Sequence, residues 1–206
     1  MIDCGPDFRQ QMLGQEFKKI DAVLLTHVHY DHVGGIDDLR PFCAFGRIDI
    51  YSDFKTSERL KCSIPYCFGE NKYPGVPNIR LNVIKPHQLL HIGGIDVMPV
   101  QVMHDKLPIL GYRLGDLMYI TDMKTIGDNE LEYFHGVKVL VVNALRFTPE
   151  HHSHLTVGQA VAFAKKVGAE HTFFTHMGHD IGLHDEVNKM LPNGIKLAYD
   201  GQIIDF

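Results

Sequence analysis

Four side chains of the kind that bind metal ions lie within six residues of the sequence: His27, His29, Asp31 and His32. In extended backbone, residues i and i+2 point the same way, so His27 and His29 can bind one ion together. Asp31 and His32 lie past a turn and can face a second ion; Asp31 is also a candidate catalytic residue. Neutral imidazole and carboxylate groups suit zinc, manganese or iron. A chance cluster among fourteen histidines is the alternative, which the spacing and the flanking sequence disfavour.

The flanking sequence predicts the elements that position this cluster. An apolar run at residues 22–25 precedes it and is typical of a buried strand. Gly34 and Gly35 follow it, and residues 36–45 have a helical pattern that Pro41 disturbs. The four donors are therefore predicted to lie on a turn between a strand and a helix, where side chains can converge on one point.

Three further candidate ligands each come directly after a predicted strand: His104, Asp122 and His176. A carboxylate at the end of an apolar strand, such as Asp122, can bridge two cations through its two oxygens. Taken alone, His104 would be an ordinary loop histidine and Asp122 would be the N-cap of a helix. Taken with the cluster at residues 27–32, they are candidate ligands for divalent ions, Zn or Mn, with Fe as a further option.

The composition is that of a globular protein, with 206 residues, 45% apolar and 22% charged. The net charge of −5 argues against broad nucleic-acid binding, which needs a basic face. The four cysteines form no C-x-x-C pair, which favours reduced thiols and a cytoplasmic location. The sequence shows neither an apolar run of about 18 residues nor a signal peptide, so no membrane partner is predicted.

The clearest predicted helix is Thr156–Val167. Thr156 and Gln159 form a T-x-x-Q capping box, and Gly168 ends the helix. Two other stretches carry weaker predictions. Residues 196–206 are predicted to close the fold as a hairpin, with strands at 196–199 and 203–206. The Pro- and Gly-containing stretch Cys62–Asn78 is predicted to be a loop, serving as a wall of the active site, a partner surface or a connector.

The motif H-x-H-x-D-H, between an apolar strand and Gly-Gly, resembles the signature of the metallo-β-lactamase superfamily of metal-dependent hydrolases. The resemblance implies an α/β fold, an αββα four-layer sandwich of two mixed β-sheets flanked by helices, as a single domain over residues 1–206. The Ile2-Asp3 segment then closes an early strand whose preceding partners are missing, so the chain is expected to be truncated at its N-terminus. The resemblance also divides the ligands between two ions: His27, His29 and His104 on one, Asp31, His32 and His176 on the other, and Asp122 with a water bridging both.

The segment that precedes the capped helix offers a general acid. Cleavage of a phosphodiester needs an acid to protonate the leaving alkoxide, and histidine is the usual choice, so His154 is the candidate. Helix N-termini also favour phosphate oxygens, which places Ser153 and Thr156 among the predicted substrate-binding residues. For His151 and His152, a solvent-facing loop position is the favoured interpretation.

Three longer motifs narrow the resemblance: H-x-S-H-L-T, T-H-M-G-H-D-I-G and L-A-Y-D-G. They are similar to the cyclic phosphodiesterases of phosphonate-utilisation operons, which hydrolyse cyclic ribose phosphates. In that family a structural zinc uses N-terminal cysteines and a histidine that matches His179. Those cysteines are absent from this sequence, which puts the structural zinc site in doubt, and His179 is counted among the candidate substrate-binding residues.

The predicted function is a dinuclear metal-dependent hydrolase. The favoured reaction is cleavage of a small or cyclic ribose phosphodiester by attack of a metal-bridging hydroxide. The alternatives are a tRNA 3′-end-processing endonuclease, a lactone or thioester hydrolase, and a metal-binding module without turnover. The predicted partner is a small-molecule phosphodiester, nucleic acid is disfavoured without being excluded, and a homodimer is left open.

Overall fold

The computed structural model describes residues 1–69 and 72–206 and divides into two compact units. Unit 1 comprises residues 1–88 and 92–94, and unit 2 comprises residues 89–91 and 95–206. The predicted loop Cys62–Asn78 contains a short 3-10 helix, Pro65–Cys67, and its positions 70–71 lie outside the described residues. Among the described residues, no helix combines the length and the apolar character needed to cross a bilayer. The prediction of a single domain stays a prediction.

Unit 1 is built on a three-stranded sheet in the order β1-β2-β3, whose neighbouring strands are parallel. Its strands are β1 (Ala22–Leu24), β2 (Ile48–Ser52) and β3 (Ile79–Val83). Its helices are α1 (Phe8–Leu13), α2 (Tyr30–Val33), α3 (Phe54–Ser63) and two 3-10 segments, Ile36–Phe45 and Pro65–Cys67.

The local sequence explains the elements of unit 1. All three residues of β1 are buried, whereas burial alternates along β2, as expected for a strand with one face in the core. The helical stretch predicted at 36–45 is a 3-10 helix that contains Pro41, which has no N–H to donate. Asp53 caps α3, since its carboxylate accepts a hydrogen bond from Thr56 N at 2.8 Å.

Unit 2 is built on a seven-stranded mixed sheet in the order β10-β9-β8-β7-β6-β5-β4. Its strands are β4 (Leu90–Ile92, whose last residue belongs to unit 1), β5 (Ile95–His104), β6 (Leu107–Leu114), β7 (Leu117–Tyr119), β8 (Val139–Asn143), β9 (His171–Thr175) and β10 (Ile195–Leu197). Its helices are α4 (Val157–Val167), α5 (His184–Met190) and a 3-10 segment, Asp128–Phe134. Strands β7 to β10 are parallel, and β6 runs antiparallel to both of its neighbours.

Helix α4 confirms its prediction, with the capping box of Thr156 and Gln159 in place and Gly168 in the left-handed conformation. The predicted closing hairpin is wrong. Strand β10 pairs parallel with β9, and residues 203–206 form no strand. Two parallel strands need a crossover between them, which α5, a helix that the sequence did not predict, supplies.

Candidate metal centre

We call residues 26–32 the donor turn of unit 1. It follows β1 as predicted, but its Asp31 and His32 lie in α2, a short helix that the sequence did not predict. His27 and His32 are buried, whereas His29 and Asp31 are exposed. Nε2 of His27 lies 2.9 Å from Nδ1 of His29, so the two side chains point to one place, as the i, i+2 spacing requires. Beside them, Nε2 of His32 lies 3.3 Å from a carboxylate oxygen of Asp31.

Asp3 organises this turn, a role that the sequence analysis missed. Its carboxylate accepts hydrogen bonds from Thr26 N at 2.8 Å, Thr26 Oγ1 at 2.8 Å and His32 Nδ1 at 2.7 Å. Burial raises the pKa of Asp3, and the bonds from His32 and Thr26 oppose that shift. Asp3 also has a φ of 53°, a strained conformation of the kind found at functional sites. The neighbouring letters Ile2-Asp3-Cys4-Gly5 are the only signal in the sequence that could have shown it.

These bonds fix which ring nitrogens carry protons. A carboxylate oxygen can only accept, so His32 Nδ1 is protonated. The Thr26 hydroxyl gives its one proton to Asp3, so Thr26 Oγ1 accepts at 3.0 Å from His27 Nδ1. Both histidines are thereby left with Nε2 as the nitrogen that bears a lone pair, the state in which imidazole binds a metal ion.

Close backbone contacts hold the same turn. Cys4 N donates to His32 O at 2.7 Å, and Gly35 N donates to Cys4 O at 2.9 Å. A Cβ atom on Gly5 would lie 2.3 Å from Asp31 O, and one on Gly35 would lie 2.2 Å from Gly5 O. Only glycine fits at these two positions, so the segment 3–5 acts as a scaffold for the donor turn.

The donors of unit 2 lie at the ends of strands, and we call His104, Asp122 and His176 the strand-end donors. His104 is the last residue of β5, Asp122 follows β7 by three residues, and His176 directly follows β9. These three strands run in the same direction, so their carboxyl ends meet at one edge of the sheet. Asp122 and His176 have φ values of 53° and 54°, which again places strained backbone at donor positions.

Asp122 is the centre of this group. It is 2% exposed, and its Oδ1 lies 2.9 Å from His176 Nε2 and 3.4 Å from His154 Nδ1. The other oxygen accepts from Thr121 Oγ1 at 2.9 Å. His104 Nδ1 donates to the Ser153 carbonyl at 3.0 Å, which leaves its Nε2 with the lone pair. His104, Asp122 and His154 form one candidate group in which the ligand atoms lie within 4.8 Å of one another.

Asn143, the last residue of β8, is a second positioning residue that the sequence analysis missed. It is fully buried, its Oδ1 accepts from Met123 N at 2.8 Å, and its Nδ2 donates to Met123 O at 3.0 Å. Both backbone groups of the residue after Asp122 are thus held by one side chain. No local pattern in the sequence distinguishes this asparagine, because its partner is 20 residues away.

His154, the candidate acid, lies among the strand-end donors. Its ring stacks on His176 with centroids 4.8 Å apart and lies 4.7 Å from the ring of His104. Burial lowers the pKa of His154 to about 4, although the Asp122 carboxylate acts in the opposite direction. The ring is therefore neutral at pH 7 in the absence of a bound ion or substrate.

The three candidate substrate-binding residues differ in position. Ser153 is buried, with its backbone N and its Oγ at 3.3 and 3.1 Å from His151 Nδ1. Thr156 uses its hydroxyl as the N-cap of α4, accepting from Gln159 N at 3.3 Å. His179 is exposed, three residues after His176. The assignment of these three residues to substrate binding stays a prediction.

The donor chemistry within each unit fits divalent metal ions. Ligand atoms on a tetrahedral zinc lie roughly 3.3 Å apart. The separations between predicted ligands are 2.9 and 3.3 Å within unit 1 and 2.9 Å, between Asp122 and His176, within unit 2. The donors are imidazole and carboxylate groups. In His27 and His32 of unit 1 and in His104 of unit 2, the protonated ring nitrogen already donates a hydrogen bond, so the other ring nitrogen can bind an ion.

The profile of the family described as "Beta-lactamase superfamily domain" matches residues 1–177. The chain belongs to the metallo-β-lactamase superfamily. Members of this superfamily are hydrolases, and the fold implies binding of divalent metal ions. The predicted superfamily and its αββα fold class are confirmed. One detail differs: two mixed sheets were expected, but the described pairings of the three-stranded sheet are all parallel.

Among solved structures, this superfamily member is similar to "a New Diphosphatase from the PhnP Family", with a TM-score of 0.90 and 38% identity over 100% of this chain and 79% of that one. It is 40% identical over 201 residues to an octanoyltransferase of Porphyromonas gingivalis, covering 98% of this chain and 41% of the relative. It is 28% identical over 122 residues to ribonuclease Z of Acaryochloris marina, covering 56% and 37%. The chain thus spans about two fifths of the length of these two curated relatives.

Proposed function

We propose that this superfamily member is a dinuclear metal-dependent phosphodiesterase that cleaves a small or cyclic ribose phosphodiester. The observation that carries the proposal is the buried carboxylate of Asp122, whose Oδ1 lies 2.9 Å from His176 Nε2 and 3.4 Å from His154 Nδ1. The similarity to a diphosphatase over the whole of this chain supports chemistry at phosphorus.

The residues that would hold the ions are those of the sequence prediction: His27, His29, Asp31 and His32 in unit 1, and His104, Asp122 and His176 in unit 2. Divalent ions bound there would activate water and neutralise the charge of the phosphate. Asp3 and the Ser153 carbonyl hold the ring protons of His32 and His104 away from the ions. Asp31, exposed next to His32, is the proposed second catalytic group.

His154 is the proposed acid for the leaving oxygen. Because its ring is neutral at pH 7 when alone, it must gain a proton as an anionic phosphate binds beside it, and a nearby negative charge raises the pKa of a histidine. The Thr156 N-cap and the Ser153 backbone fix the segment from which His154 projects.

A second candidate, hydrolysis of an acyl thioester, is favoured by the octanoyltransferase relative, which matches 98% of this chain. Because the match spans 41% of that relative, its named activity can reside in the remaining part. The tRNA-processing alternative is supported by the ribonuclease Z relative and opposed by the net charge of −5.

The test combines metal analysis with a panel of substrates: a bis-aryl phosphate, a cyclic ribose phosphate, a tRNA precursor, a lactone and an octanoyl thioester. We expect two divalent ions per chain and selective turnover of the small phosphodiesters. His154→Ala should retain the ions and should slow substrates with poor leaving groups about 100-fold more than those with good ones. Loss of metal in this variant would make His154 a ligand, and turnover of the thioester or the tRNA alone would replace the proposal.

A further inference from the structure

Lys124 lies two residues after Asp122, with its side chain only 17% exposed. Its ammonium group has three N–H donors, and three acceptors lie within reach: Glu150 Oε1 at 2.7 Å, Gln159 Oε1 at 3.3 Å and the His154 carbonyl at 3.4 Å. One cation thus binds the start, the centre and the end of the segment 150–159, which carries the candidate acid.

The acceptors of Lys124 are themselves joined. Glu150 Oε1 also accepts from Gln159 Nε2 at 2.8 Å, and Gln159 Oε1 accepts from Thr156 N at 3.0 Å. Hydrogen bonding to Lys124 lowers the pKa of Glu150, so this carboxylate is ionised at neutral pH. The capping box of α4 is therefore part of a charged network that closes around residues 150–159.

The backbone from which Lys124 projects is fixed relative to the donors. Lys124 N donates to Met103 O, next to His104, at 2.7 Å. The backbone N–H and C=O of the preceding residue, Met123, both hydrogen-bond to the side chain of Asn143. The backbone of Lys124 is therefore tied to the backbone beside two donors, and its ammonium group is tied to the segment 150–159.

We infer that Lys124 is a positioning residue that sets the distance between His154 and Asp122. The inference rests on the proposed function, in which His154 protonates the leaving oxygen. Lys124 and Glu150 act through the segment 150–159, because Lys124 bonds to Glu150, to Gln159 and to the His154 carbonyl and not to the ring of His154. Small errors in the placement of an acid reduce its contribution to the rate steeply, so the effect on catalysis should exceed the effect on folding.

The test uses the metal-loaded protein with Lys124→Met, which keeps the length of the side chain and removes its charge. Lys138→Met is the matched control, because Lys138 forms an ion pair with Asp116 elsewhere in unit 2. We expect amide hydrogen exchange in a peptide covering residues 151–156 to become about tenfold faster in Lys124→Met and to stay unchanged in the control. We expect kcat for substrates with poor leaving groups to fall about tenfold more than kcat for substrates with good leaving groups. KM and metal content should stay unchanged.

Lys124→Arg, which keeps the charge, should restore part of both effects, and Glu150→Gln should reproduce them more weakly if Lys124→Met folds poorly. Unchanged exchange in both Lys124→Met and Glu150→Gln would overturn the inference. So would equal slowing of good and poor leaving groups in Lys124→Met when His154→Ala slows them unequally. If His154→Ala itself slows both equally, the acid assignment of the proposed function has failed, and the inference about catalysis fails with it.

Discussion

The two units present their donors in different ways. In unit 1 the four donors are neighbours in the sequence, and one carboxylate, that of Asp3, fixes the two buried ones. In unit 2 the strand-end donors are spread from residue 104 to residue 176, and the strand directions and the Asn143 side chain bring them together. A compact motif therefore depends on one hydrogen-bonding hub, whereas a dispersed one depends on the backbone of a whole sheet.

The strongest test of this difference is Asn143→Ala. It leaves the buried N–H and C=O of Met123 without partners, so we expect a loss of about 4 kcal/mol in the free energy of unfolding. Urea denaturation measures this loss. Asn82→Ala is the control, because the Asn82 amide of unit 1 donates a solvent-exposed hydrogen bond of 3.4 Å to the Arg80 carbonyl. A loss below about 1 kcal/mol would mean that the sheet alone holds Asp122.

Gly5→Ala tests the backbone contact of unit 1. The added Cβ would lie 2.3 Å from Asp31 O, so we expect destabilisation of about 3 kcal/mol together with reduced metal content. Gly158→Ala is the matched control in α4, where nothing lies within 4 Å of the added atom, and should stabilise the protein by about 0.5 kcal/mol. Thermal unfolding and metal analysis check both, and a stable, fully metallated Gly5→Ala would refute the scaffold role of the segment 3–5.

Asp3→Asn removes the carboxylate that fixes His27 and His32. Loss of such a supporting group typically weakens metal binding 10–100-fold, and we expect a decrease of about 30-fold here. Competition with a chromophoric chelator measures the affinity. An unchanged affinity would show that the donor turn keeps its geometry without the Asp3 carboxylate.

Asp53→Ala separates stability from metal binding within the same unit. It removes the N-cap of α3 and should cost about 1 kcal/mol of stability. The metal content should not change, because Asp53 is not bonded to the donor turn in the described hydrogen bonds. A parallel loss of metal would show that general loosening of unit 1, and not Asp3 in particular, controls the donors.

The smallest effect is one of thiol reactivity, which reports on unit 1 alone because Cys4, Cys43, Cys62 and Cys67 all lie there. Burial, with nearby Asp38 and Asp3, raises the pKa of Cys4 to about 12, so its thiol stays protonated through the neutral range. An alkylating reagent at pH 8 should label exposed Cys62 first and Cys4 last. Asp3→Asn should speed labelling of Cys4, whereas Asn143→Ala should not, and equal acceleration by both would remove the distinction between the units.

The sequence allowed the prediction of several features that depend on short-range geometry. The H-x-H-x-D-H motif, the strand before it and the capping box of α4 each involve residues within a few positions, where the geometry of strand or helix fixes which side chains meet. The superfamily and its fold class followed from that motif.

The tertiary structure decided the rest, because it depends on partners far apart in the chain. Asp3 meets His32 across 29 residues, Asn143 meets Met123 across 20, and Lys124 meets Glu150 across 26. The predicted closing hairpin failed for the same reason: a short apolar strand has the same pattern whether its neighbour is parallel or antiparallel, and only the crossover through α5 determines which occurs. A residue's type limits the bonds that it can make, but the packing of distant segments selects its partner.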